Sequence, residues 1–102
     1  MPVVIDPANG AAKAKANTSF TWDMSGVFYT YSKVIVGSSA GSDNIYPGKQ
    51  IKKPASGTTT DSTVYHPGGN TICYTRPKYS KGANGGDPWY VLLSTINSFT
   101  ST

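Results

Sequence analysis

Apolar and polar positions alternate along much of this chain, and the alternation has the two-residue period of a β-strand. Thr18-Ser19-Phe20-Thr21-Trp22-Asp23 places Phe20 and Trp22 on one face, the pattern of a half-buried strand. The longest alternating run is 28–36, with Phe28, Thr30, Ser32, Val34 and Val36 on one side. Tyr29, Tyr31, Lys33 and Ile35 fall on the other. Large groups on both sides predict a central strand, or one whose second face is an interaction surface. Further strands are predicted at 43–46, in the Thr-rich stretch 58–65, at 71–79, and from Trp89 to Thr100. Pro77 lacks the amide a ladder needs and is expected at an edge or a strand end. Phe99 falls out of step with Ile96, which predicts a bulge.

Turn signals divide these runs: Pro7-Ala8-Asn9-Gly10, Gly37 to Ser42, Pro47-Gly48, and His66 to Gly69. Polar loops are expected at Lys49–Gly57 and at the glycine-rich Gly82–Pro88. Ala11 to Ala16 is helix-like in composition only. It is short and has no strong apolar face, so it reads as a loop or an edge strand.

Composition agrees with the pattern. The 102 residues include 24 Ser and Thr, 11 Gly and 7 Pro, but two Leu and no Glu, so the usual helix formers are missing. Six or seven short strands in one chain of this size predict a single all-β sandwich domain over 1–102. Residues 1–15 could extend from it as an N-terminal arm.

The net charge is +4, with the lysines scattered and only Lys52–Lys53 adjacent. That distribution lacks the concentrated patch of a specific nucleic-acid binder, and solvent-facing lysines that blunt strand edges are expected. No run approaches the roughly 20 apolar residues of a membrane helix. The N-terminus has no basic and apolar signal-peptide pattern, and Met1 suggests a whole reading frame made in a cytoplasm. Cys73 is the single cysteine, so no disulfide within the chain is available, and a buried, unreactive thiol is expected.

The order of features also resembles a bacterial or phage immunoglobulin-like, fibronectin type III-like module. Pro7-Ala8-Asn9-Gly10, Phe20-Thr21-Trp22, Val34-Ile35-Val36-Gly37 and Asp43-Asn44-Ile45-Tyr46 carry the resemblance. Pro67-Gly68-Gly69, Tyr74-Thr75-Arg76 and Trp89-Tyr90 follow in order, so it spans Pro7 to about Phe99. Pro77 and the long Lys81–Pro88 stretch depart from that pattern at the last hairpin. The resemblance implies an immunoglobulin-like sandwich of about seven antiparallel strands, of the kind appended to bacterial surface proteins and phage virions.

A structural core is expected from Phe20, Trp22, Val34, Val36 and Tyr74, the last burying its ring while its hydroxyl reaches a backbone group. Chemistry is thinly supplied. The five Asp lie beside turn residues and suit capping. His66, before Pro67, suits a surface or capping role, and no nucleophile–base pair, metal set or cofactor motif is apparent. The aromatic surplus is the more informative feature, with Tyr29, Tyr31, Tyr46, Tyr79 and Trp89 as candidate binding residues. These observations predict a non-enzymatic structural module without cofactor or metal. Its expected place is a virion, as a decoration or tail-associated protein docked on capsid or tail subunits in a symmetric assembly. The alternative is a carbohydrate-binding or adhesive module of a secreted surface protein, which would use glycans and depend on Trp89 and Tyr46.

Overall fold

The computed structural model describes residues 3–55, 57–82, 88–91 and 97–102, which contain strands and connections and no helix. The strands are β1 (Val3–Asp6), β2 (Ala12–Lys13), β3 (Phe20–Asp23), β4 (Tyr31–Gly37), β5 (Ile51–Lys52), β6 (Thr58–Asp61), β7 (Thr71–Ser80), β8 (Tyr90–Val91) and β9 (Asn97–Ser101). They form two sheets, one ordered β1-β3-β6 and a larger one ordered β2-β9-β7-β4-β5, with β8 also paired to β7. Pairing is antiparallel throughout except for β2, which runs parallel to β9.

The core lies between the sheets. Val4, Phe20, Trp22 and Met24 enter it from the smaller sheet; Val34, Val36, Cys73 and Phe99 enter from the larger. Tyr29 and Val64 reach it from connections. The alternation of β3 buries Phe20 and Trp22 completely, each contributing roughly 2–3 kcal/mol by area. Trp22 Nε1 donates across the sandwich to Ser32 Oγ at 3.1 Å, so the one polar atom of the largest core side chain is satisfied.

Polar side chains fasten the sandwich at its ends. Lys13 is buried, with Nζ 2.9 Å from Asp6 Oδ1 and 5.0 Å from the centre of the Phe20 ring. Asn97 Nδ2 donates to the carbonyls of Val4 and Pro7, at 3.0 and 3.2 Å, tying β9 to β1. From Val3 to Lys13 the N-terminal segment therefore contributes a strand to each sheet, where an arm extending from the domain was expected. Asp6–Pro7 is a cis peptide bond.

Several expectations change. The run expected to start at Phe28 becomes a strand only at Tyr31; Phe28 is 80% exposed, whereas Tyr29 turns into the core. The bend is fixed by Thr30, whose N–H donates to the Ser80 carbonyl at 2.8 Å and whose carbonyl accepts from Lys53 at 2.9 Å. The strand expected at 43–46 reduces to one bridge between Val36 and Tyr46. Asn44 Oδ1 accepts from the Ser38 N–H and the Ser42 hydroxyl, so side-chain bonds replace a ladder there. Tyr74, expected in the core, is half-buried on the outer face, because its neighbour Cys73 takes the inward position. The expected last strand is represented by β8 and β9; residues 92–96, and the bulge expected there, lie outside the described residues.

Pro77 is neither at an edge nor at a strand end. It is buried within β7, opposite Val34. Val36 exchanges both its backbone bonds with Tyr46, so Val36 and Val34 turn their amides away from β7. Pro77 correspondingly points its nitrogen away from β4. On that flank the described pairing stops at Thr75–Asn97 and resumes at Lys78–Val91, so no described ladder bond needs the missing donor.

Candidate binding face

The pleat of β4 and β7 sends alternate residues away from the core. On β4 these are Tyr31, Lys33 and Ile35; on β7 they are Ile72, Tyr74, Arg76 and Lys78. The register sets Lys33 directly opposite Lys78, Ile35 opposite Arg76, and Gly37 opposite Tyr74. Lys52 on the edge strand β5 faces Tyr31. Trp89, just before β8, receives the Lys33 ammonium 4.5 Å from its ring centroid. The outer face of the larger sheet thus groups Lys33, Lys52, Arg76 and Lys78 with Tyr31, Tyr74 and Trp89.

The cations on this face are poorly compensated. Like charges directly across a sheet repel. Burial holds the Lys33 ammonium below the usual lysine range, the Lys78 charge lowers it further, and Asp43 works in the opposite direction. Its stem is confined by Gly48, where an added Cβ would lie 2.7 Å from Lys33 Cδ. Arg76 is 8% exposed, its Nε is buried without a hydrogen-bond partner among the described residues, and burial lowers its pKa. Among the described residues the one ion pair is Lys13 with Asp6, on another part of the molecule.

A loop roofs one end of the face. A Cβ on Gly37 would come within 2.1 Å of the Ser42 carbonyl oxygen, so only glycine lets the chain 38–42 fold back at this point. At Gly41 an added Cβ would stand 3.6 Å from an Arg76 Nη, which places the guanidinium beside this loop.

The candidate aromatics do not form one surface. Tyr31 and Trp89 belong to the outer face. Tyr29 is 7% exposed in the core, with Lys53 Nζ 5.2 Å from its ring. Tyr46 packs against the core, and its hydroxyl donates to Asp61 Oδ2 at 2.5 Å, so it bridges the sheets at another edge. Tyr79 also packs on the core, 5.5 Å from the Tyr90 ring. Trp89 and Tyr46, the pair a glycan platform would need, serve different parts of the molecule. In the sequence Arg76 reads as a stem that covers apolar surface or as a partner for an Asp; its parity with Tyr74 and Lys78 is legible there, and the register against Lys33 is not.

The other chemical candidates have structural places. His66 is buried, not at the surface, and packs against Phe20 and Phe99 at 5.7 and 5.6 Å. Asp61 accepts from the Thr63 amide and hydroxyl, and Asp23 accepts from those of Ser25, both as turn caps. The Ser25 bonds hold the Asp23 carboxyl below its usual range. Cys73 is buried, which pushes its thiol up. Among the described residues no group of three His, Cys, Asp or Glu is placed to hold a metal. An open pocket of about 120 Å³ lies between Met24–Val27, Tyr29, Lys53 and Gly57.

No family model matches the chain, and no curated protein does. It is similar to a solved structure of an engineered protein, with a TM-score of 0.59 over 100% of this chain at 17% identity. The chain spans 20% of that protein's length. The likeness is one of fold.

Proposed function

We propose that this chain is a non-enzymatic, immunoglobulin-like binding module that docks through the outer face of its larger sheet onto other protein subunits, as a component of a phage virion. The strand orders β1-β3-β6 and β2-β9-β7-β4-β5, with a short β2 parallel to the last strand, support the immunoglobulin-like reading. The observation that carries docking is the side-by-side placement of Tyr31, Lys33, Lys78 and Trp89 on one sheet face. Aromatic and cationic groups that stay partly open on a rigid sheet are the residue types that anchor interfaces. The sequence resemblance to appended virion modules points to the virion as the setting.

The test is recovery of the protein from purified particles in fixed stoichiometry with a capsid or tail subunit. Trp89→Ala should abolish that association while leaving the isolated domain folded. Absence from every particle would overturn the virion reading.

A further inference from the structure

The outer face has a chemistry more specific than aromatic stickiness. Along β7, Ile72, Tyr74, Arg76 and Lys78 recur every second residue, a stripe of roughly 20 Å at the strand repeat. Lys33 and Lys78 are held opposite one another, and Arg76 is the next outward residue beside Lys78. No described residue accepts a hydrogen bond from the Arg76 guanidinium, and its Nε is sealed from solvent. Of the guanidinium's five donors only the Nε–H is sealed off; the Nη donors are not among the buried unpaired atoms and stay open to a ligand. A stem that merely covered Ile35 would do so equally well with its head in water. This head instead lies against the Gly37–Ser42 loop.

We propose that Arg76, Lys33 and Lys78 form a recognition site for carboxylates of an acidic protein segment. This inference rests on the docking reading above and names the chemistry of the partner. Charge complementarity selects an acidic occupant: three neighbouring cations lack an ion-paired carboxylate among the described residues, and the chain is +4 overall. The i, i+2 spacing of Arg76 and Lys78 matches carboxylates about 7 Å apart, the same-face repeat of an extended strand. Arg76 offers donors to one carboxylate; Lys33 and Lys78 share the next. Tyr74 and Trp89 flank them and supply apolar contact. A protein segment fits better than a nucleic-acid strand, because Arg76 is recessed and only a protruding group enters, whereas backbone phosphates track an open groove.

The experiment titrates the isotope-labelled domain with a peptide alternating glutamate and threonine, with the same peptide carrying glutamine for glutamate, and with single-stranded oligothymidylate. The glutamate peptide should shift the amide signals of β4 and β7, and rising salt should weaken it. Arg76→Gln should weaken it at least about tenfold, Lys33→Gln and Lys78→Gln severalfold, and Lys15→Gln, remote from the face, not at all. Arg76→Met, which keeps the apolar stem, should unfold at the parent's denaturant concentration and fail to bind, separating recognition from folding. Equal binding of the glutamine peptide, or parent-like binding by Arg76→Gln and Arg76→Met, would overturn the proposal. Tighter binding of the oligonucleotide would overturn it in favour of a nucleic-acid partner. A particle that retains the Arg76→Gln protein at full stoichiometry would leave docking intact and sink carboxylate recognition. Arg76-dependent peptide binding by a protein absent from particles would do the reverse.

Discussion

His66 and Ser101 are 35 positions apart in the chain, yet Nδ1 of the imidazole lies 2.6 Å from the serine hydroxyl, and both residues are buried. Ser101 Oγ also accepts the Gly68 amide at 2.7 Å, so its proton is free to point at Nδ1. Nε2 then carries the ring proton and donates to the Asn17 carbonyl at 2.8 Å. One imidazole thus joins the approach to β3, the approach to β7 and the end of β9, while its ring packs on Phe20 and Phe99.

His66→Phe should preserve the ring packing and lose both hydrogen bonds, destabilising the domain by about 1–3 kcal/mol through the unpaired Asn17 carbonyl and Ser101 hydroxyl. His66→Ala adds a cavity and should cost more, about 3–5 kcal/mol. Urea unfolding of both variants, with Ser101→Ala completing a double-mutant cycle, measures the coupling. Additive effects of His66→Phe and Ser101→Ala would refute the bridge.

Gly37→Ala should destabilise by about 1–3 kcal/mol, because the new methyl meets the Ser42 carbonyl oxygen at 2.1 Å and the 38–42 loop must lift. Gly10→Ala meets no atom within 4 Å and pays only for its positive φ, about 1 kcal/mol. Thermal unfolding of the two variants gives the comparison, and amide exchange at Ser42 should rise in Gly37→Ala alone.

These two sites show where the sequence was readable. Phe20 and Trp22 alternate inside one strand, so their burial follows from local pleat and nothing else. Val34 and Val36 are legible for the same reason, as are Asp23 and Asp61, whose caps reach two residues along the chain. The burial of His66 is not legible in the sequence, because its partners, Asn17, Ser101 and the Phe99 ring, come from distant segments that no local period connects. Pro77 looks wrong for a central strand until the phase of its hydrogen bonds against Val34 is known. Parity marks Tyr74, Arg76 and Lys78 as one face; the choice between inside and outside depends on Cys73 and on the register with β4. The tyrosines scattered for a related reason: Tyr29 precedes its strand, so the bend at Thr30 decides its direction.

Tyr46 makes stability depend on pH in the alkaline range. Burial, followed by the hydrogen bond to Asp61 and the Asp61 charge, pushes its phenol up to about 12 from 10.0. The folded state therefore favours the protonated phenol. That contribution is complete below pH about 10, the unfolded value, and is lost as pH rises through about 12. Stability of the parent should fall more steeply over this window than that of Tyr46→Phe. Ultraviolet titration should show a late ionisation from Tyr46, and that late step should vanish in the variant. A late step that persists unchanged in Tyr46→Phe would contradict its assignment to Tyr46.

Thr75 offers the opposite sign. It is buried opposite Val36 on the inward face of β7, and its Oγ1 has no hydrogen-bond partner among the described residues. Folding strips water from that hydroxyl, and no described residue replaces the lost bond. Thr75→Val keeps the branched shape and the strand propensity while removing the unpaired group. It should raise stability by about 1 kcal/mol, seen as a higher urea midpoint at unchanged slope. The neighbouring ladder partner Asn97 provides the contrast, because its side chain holds the Val4 and Pro7 carbonyls. Asn97→Leu should therefore destabilise, although it too replaces a buried polar group with an apolar one of similar size. If Thr75→Val proved as harmful as Asn97→Leu, the hydroxyl would have a partner in solution, and Thr75 would belong with the polar fastenings of the sandwich instead of its apolar core.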